Sequence, residues 1–195
     1  NLDLSLEEYE KALESHAKSE KLCKTKTSLP WKLWVLVFGL QFVQQAAGAG
    51  FLTYYAAAIF RSWGLSPEQS VGATLLSTLP QLAVIGFALK WKLIETLGRK
   101  RLLLLSGATV SVVLAYLCVI SRMGKQLNDW SVSLFASLLV LGLTAHRVAY
   151  AFGLAPVPSV LIAESVPFAH RSRVMSVALA LNWGLNFLLT TVISM

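Results

Sequence analysis

The sequence predicts an all-α membrane protein: a short polar helix followed by five membrane-spanning helices. Three observations carry this. The 195 residues are 55% hydrophobic, with a mean hydropathy of +0.62. Only 14% are charged, where a soluble domain has about 25%. The apolar residues also gather into five runs, each near the roughly 20 residues that cross a bilayer.

Residues 1–28 are polar. Leu6, Tyr9, Leu13 and Ala17 recur at helical spacing, which predicts an amphipathic helix. It is either a solvated surface helix or one that packs under a membrane bundle. The Lys-rich linker KTKTSLPWK follows, and residues 29–195 form the bundle. Spans are expected over 33–60, 70–89, 102–120, 131–161 and 174–195. Pro80 predicts a kink in the second, and GLAPVP breaks the fourth. There is no early basic-then-apolar leader. A chain that starts without Met and stops inside an apolar run reads as truncated at both ends.

Charge sets the orientation. With residues 1–28 in the cytoplasm, 13 of the 17 Lys and Arg fall on the cytoplasmic side, among them Lys90, Lys92, Arg99, Lys100, Arg101, Arg171 and Arg173. Arg61, Arg122 and Lys125 lie outside, and Arg147 falls within the fourth span. Cys23 and Cys118 read as free thiols. No metal-ligand set, nucleophile elbow or phosphate loop appears, so neither an enzyme nor a cofactor is expected. Nucleic-acid binding would leave five apolar spans unexplained.

In the first span, FVQQAAGAGFLTYY, a 100° step puts Gln41, Gln44, Gln45, Gly48 and Tyr55 on one face. Amides in hydrocarbon cost several kcal/mol unless paired. The stripe is therefore either a substrate site or hydrogen-bonding glue between helices. In the fourth span Pro156 and Pro158 each remove a backbone donor. Such a break is a hinge beside a cavity or a kinked structural helix. In the fifth, Asn182, Trp183, Asn186 and Thr190 lie within about 100° of one another. An indole with amides suits a sugar, though Trp183 also fits an interface belt. The loop ETLGRKR anchors to anionic lipid and caps the helix that follows. Glu164 and Arg171 are placed to pair with each other or with that loop, weakly enough to suit a gate. His146 and Arg147 stand out within the fourth span. An Arg at membrane depth costs about 2.5–3.5 kcal/mol on insertion scales. It faces protein, snorkels outward, or serves an anionic solute.

These motifs together resemble the sugar porter family of the major facilitator superfamily. QQAAGAGFLTYY resembles its helix 7 signature and ETLGRK its loop between helices 8 and 9. GLAPVP resembles the helix 10 break, AESVPFAHR the loop after it, and Asn182–Trp183 the helix 11 pair. The order and spacing match along the whole chain, which would correspond to the central cytoplasmic segment and helices 7 to 11 of the C-terminal half. The resemblance implies a carrier of a sugar or polyol working by alternating access, facilitative or proton-coupled. It implies a multi-pass protein of the plasma membrane whose partner is an N-terminal six-helix half.

Gln44, Gln45, Tyr55, Asn182, Trp183 and Asn186 are then the expected substrate-binding residues. Tyr54, Tyr55, Pro156 and Pro158 belong to the gates. Glu95, Arg99, Lys100, Glu164 and Arg171 form a cytoplasmic charge latch. The sequence departs from the family pattern at Gly50, Ala83, Ala151 and Ser159, where larger or polar residues are usual. This implies a wider cavity with fewer fixed hydrogen bonds, and either weaker binding of a hexose or a preference for a bulkier solute. A sugar sensor of the same fold is the alternative.

Overall fold

In hydrocarbon a backbone must satisfy its own hydrogen bonds, and every element of this chain is accordingly helical among the described residues. The computed structural model describes residues 29–91, 93–124 and 132–194. The amphipathic helix expected within 1–28 lies outside them. Helices α1 (Trp31–Ala46) and α2 (Ala49–Ser62) make the first span, and α3 (Pro67–Lys90) makes the second. A short α4 (Leu93–Leu97) leads to α5 (Arg99–Gly124), the third. Helix α6 (Val132–Ala149), a π-helical turn (Tyr150–Leu154) and α7 (Val157–Ser165) make the fourth, and α8 (Phe168–Ser194) the fifth. All five are long and apolar enough to cross a membrane.

Four of the five spans begin earlier than the apolar windows suggest, the exception being the fourth, which starts at Val132. A hydropathy window finds the hydrocarbon crossing, whereas a helix continues into the polar layer until a cap stops it. Helix α3 starts at Pro67 because SPEQ forms a capping box. Ser66 N–H donates to Gln69 Oε1 at 3.0 Å, and Gln69 N–H donates to Ser66 Oγ at 3.2 Å. The same element passes through Pro80. Gly98, at φ +79°, turns the chain into α5. Arg99, Lys100 and Arg101 therefore occupy the first turn of α5 rather than capping it from outside. There the helix dipole opposes them; Arg99 is met by the Glu164 carboxylate, while Lys100 and Arg101 are exposed.

Span 4 is the centre of the bundle. Half of its apolar window is buried, against 6% for span 2. It packs on spans 2 and 3, and span 1 packs on span 5. Three apolar layers run along the bundle. Leu33, Val37, Ile162 and Val174 close the Lys- and Arg-rich end. Ala47, Val110, Ala149 and Leu154 fill the middle. Phe60, Leu139 and Leu143 close the far end. Leu75, Leu76, Leu79, Leu104, Leu105 and Val112 point outward, an apolar surface that suits lipid.

Gly153 determines how closely span 3 approaches the centre. A Cβ there would stand 2.7 Å from both the Leu102 carbonyl oxygen and Ser106 Cβ. Neither is the end of a flexible side chain, so α5 would have to move. Gly153→Ala is expected to destabilise the protein by about 1–3 kcal/mol through overpacking, read as a lower thermal midpoint in detergent. An unchanged midpoint would show that the seam between α5 and the π turn is not close-packed.

Candidate functional site

Two helix breaks meet in the middle of the bundle, and each frees backbone groups that a continuous helix would have paired. Span 1 breaks at Ala47–Gly48, where Gly48 adopts φ +73°, a left-handed conformation open to glycine. Span 4 breaks over Tyr150–Leu154, where Ala155 N–H donates to the Tyr150 carbonyl at 2.9 Å, five residues back. Pro158 has no N–H for the Leu154 carbonyl four residues earlier, which leaves that acceptor orphaned.

Side chains from neighbouring helices fill these gaps. The Gln44 amide nitrogen donates to the carbonyls of Leu154 at 3.1 Å and Ala155 at 3.0 Å. Ser106 inserts its hydroxyl into the π turn. It donates to the Ala149 carbonyl at 2.7 Å and accepts from Leu154 N–H at 3.0 Å. At the other break, the Ala47 carbonyl meets His146 Nε2 at 2.8 Å. A buried polar group left unpaired costs about 1–3 kcal/mol, so these contacts make the breaks tolerable.

Asn182 ties span 5 into the same cluster. Its amide nitrogen donates to Gln41 Oε1 at 2.5 Å and Gln44 Oε1 at 2.8 Å. Its carbonyl accepts from Gln45 Nε2 at 2.9 Å. All three glutamines are buried. Gln44 and Asn182 spend both amide hydrogens inside the network. Among the described residues, the Gln41 amide nitrogen and the Gln45 carbonyl oxygen have no partner. Gln41, Gln44 and Asn182 line a cavity of about 130 Å³ with Ser159, Met175, Ala178 and Leu179.

The stripe read from the sequence is only partly continuous. Gly48 resets the helix phase between Gln45 and Tyr55, so the 100° step does not carry across the break. Tyr55 is half-buried and stacks on Phe51, their ring centroids 4.9 Å apart. Tyr54 and Trp183 are exposed on the surface of the chain and do not line the cavity. Asn186 sits one turn above Asn182 and accepts from Thr190 Oγ1 at 3.3 Å. It lies so close to Gly50 that a Cβ there would collide with its amide. Of the other departures, Ser159 lines the cavity, Ala151 is buried in packing and Ala83 is exposed.

At the Lys- and Arg-rich end, the Arg99 guanidinium pairs with the Glu164 carboxylate, both half-exposed. Arg171 lies over the Phe168 ring at 5.6 Å. Glu95 and Lys100 are exposed. The structure thus joins Arg99 to Glu164 among the five residues of the expected latch. Pro156 and Pro158 flank the start of α7, just after the π turn.

Sequence reasoning did not single out Ser106 or assign His146 a role. Both carry a signal only in three dimensions: a lone hydroxyl opposite Gly153, and an imidazole opposite the Gly48 break.

Comparison with known proteins agrees with this architecture. Residues 2–195 match the family model described as "Sugar (and other) transporter". A galactose transporter of Saccharomyces cerevisiae is 32% identical over 180 residues, covering 91% of this chain and 30% of its own length. A plastidic glucose transporter of Arabidopsis thaliana is 29% identical, covering 82% and 28%. A facilitated trehalose transporter of Apis mellifera ligustica is 27% identical, covering 78% and 29%. The chain belongs to the sugar transporter family, the sugar porters of the major facilitator superfamily. It spans under a third of the length of these relatives.

The network makes a stability prediction. Gln44→Leu leaves two carbonyls and one Asn182 hydrogen unpaired, and Asn182→Leu leaves Gln41 Oε1, Gln44 Oε1 and Gln45 Nε2 unpaired, the Asn182–Gln44 bond being common to both. Each single variant is expected to lower stability by about 1–3 kcal/mol. The double variant should fall short of the sum by about 0.5–3 kcal/mol. Thermal midpoints of the four proteins measure this. Strict additivity would mean that the two amides act independently.

Proposed function

We propose that this chain forms the substrate-binding half of a multi-pass carrier. It moves a neutral sugar or related polyol across the plasma membrane by alternating access, facilitated or proton-coupled. The observation that carries the reading is the amide cluster at the paired breaks. A sugar presents hydroxyls that both donate and accept, and a neutral amide complements both without binding ions tightly. The Gln41 nitrogen and the Gln45 oxygen offer such unused groups in the cluster. The names of the relatives, carriers of galactose, glucose and trehalose, support the same class of solute.

The breaks supply the motion. Gly48 and the π turn are held by side-chain contacts that exchange more readily than a continuous helical ladder. A hydroxyl that takes a place in the network lets Gln44 or Asn182 change partner. The second six-helix half of the protein closes the open side of the cavity, and residues 1–28 link the halves in the cytoplasm. Tyr54 and Tyr55 then form part of the outer gate, with Trp183 facing the other half. The Arg99–Glu164 pair latches the cytoplasmic end. An exposed pair contributes below about 1 kcal/mol, a bias that a transport cycle can reverse.

Proteoliposomes carrying the full-length protein test this with hexoses, disaccharides and polyols. Saturable uptake of at least one neutral sugar or polyol is expected. Gln41→Leu and Gln45→Leu should each raise KM about 3–10-fold, the value of one hydrogen bond. Neither should lower the thermal midpoint as far as Gln44→Leu does. Absence of saturable uptake across the panel would overturn the proposal. Glu164→Gln should change the maximal rate while leaving KM and the thermal midpoint near wild type. An effect on KM alone would remove the latch from the mechanism.

A further inference from the structure

Arg147 lies in the last turn of α6, yet it is the one charged side chain among the described residues that lies far from the end of a span. It sits 13 residues into the span Leu134–Ser165 and is 6% exposed. Its neighbour His146 caps the mid-span break at Ala47. A guanidinium keeps its charge in protein interiors. Yet the partners of Arg147 are neutral: Nη1 donates to the Thr78 hydroxyl and, at 3.5 Å, to the Thr74 carbonyl. Nε and Nη2 are buried and have no partner among the described residues. The acidic residues among the described ones, Glu68, Glu95 and Glu164, all lie near span ends or in α4.

The two unused nitrogens are not scattered. Nε and Nη2 share one edge of the planar group, and their N–H bonds run nearly parallel. That edge is the fork that accepts the two oxygens of a carboxylate side by side. Water would satisfy the hydrogen bonds but leave the charge unbalanced, and an uncompensated buried charge is strongly unfavourable. The Thr78 and Thr74 contacts hold the opposite side of the guanidinium against α3, so the free edge is oriented. We propose that this edge is a receptor for a carboxylate at the middle of the membrane. The carboxylate comes from a small solute or from an acidic side chain elsewhere in the full-length protein. The edge is shielded in this conformation, so occupancy is coupled to separation of α3 from α6. The site is separate from the amide cluster and does not depend on which sugar, if any, is carried.

Formate, the smallest carboxylate, is the probe, titrated against chloride at constant ionic strength while the thermal midpoint of the purified full-length protein is read. If the carboxylate is a solute, formate raises the wild-type midpoint saturably, by about 2–3 °C at 100-fold its dissociation constant for a protein of full length. Arg147→Gln abolishes the shift. Arg147→Lys, which keeps the charge and loses the fork, weakens it at least tenfold in concentration. If the carboxylate is built in, formate leaves the wild type unchanged. Converting one particular acid of the full-length chain to its amide then lowers the midpoint as much as Arg147→Gln does, the double change adds nothing, and formate restores the acid-to-amide variant. Should Arg147→Gln not fold, Arg147→Lys takes its place in both comparisons. The proposal is overturned if formate shifts no variant and no acid couples to Arg147. It is equally overturned if Arg147→Gln is as stable as wild type and responds to formate as wild type does.

Discussion

Hydrocarbon offers a peptide bond no hydrogen-bonding partner, and the arrangement of this bundle follows from that constraint. Two of its five spans are broken at mid-depth, one by the left-handed Gly48 and one by Pro156 and Pro158 behind a π turn. Each break frees carbonyls that a continuous helix would have used. The helices around them are positioned so that Gln44, Ser106 and His146 reach those carbonyls. Gly153 is required by the same logic, because Ser106 reaches the π turn only if α5 approaches closely.

The glutamines therefore do structural work, and this bears on the solute site proposed for them. Helix glue and substrate site looked like alternatives when the amides were read as a stripe. In the folded chain the glue is what the contacts show, and the solute site we propose would be a second use of the same network. Gln44 and Asn182 are consumed by the break and by each other, while Gln41 and Gln45 keep groups to offer. A network of neutral amides can exchange one partner for another at small net cost, because a hydrogen bond lost to a carbonyl is replaced by one to a hydroxyl. The small residues that depart from the family pattern do not act together. Gly50 makes room for Asn186, Ser159 opens the cavity, Ala151 fills packing and Ala83 faces outward.

The adjacent His146 and Arg147 illustrate two ways of burying polarity. His146 is fully enclosed and has a fixed task at the Ala47 carbonyl. Among the described residues, Arg147 has neutral hydrogen-bond partners on one side of its guanidinium and none on the other. One residue completes a break in the backbone. The other carries a charge that the described residues do not balance, which is why we propose a carboxylate partner there.

Much was determined by the order of residues alone. Five apolar runs, the bias of Lys and Arg, and the prolines of the fourth span are one-dimensional properties, because crossing hydrocarbon depends on length and composition. The family motifs were legible for the same reason: they are spacings. The tertiary structure decided the rest. Where a helix starts depends on a cap such as Ser66–Gln69, which a hydropathy window does not weigh. Whether Tyr55 shares a face with Gln44 depends on one torsion at Gly48. Which of Glu95, Arg99, Lys100, Glu164 and Arg171 meet depends on how two loops fold back at one end. Above all, the partners of the amides are carbonyls more than a hundred residues away, made available only by a break in another helix. A sequence shows that a polar group must be satisfied; the packing of helices decides by whom.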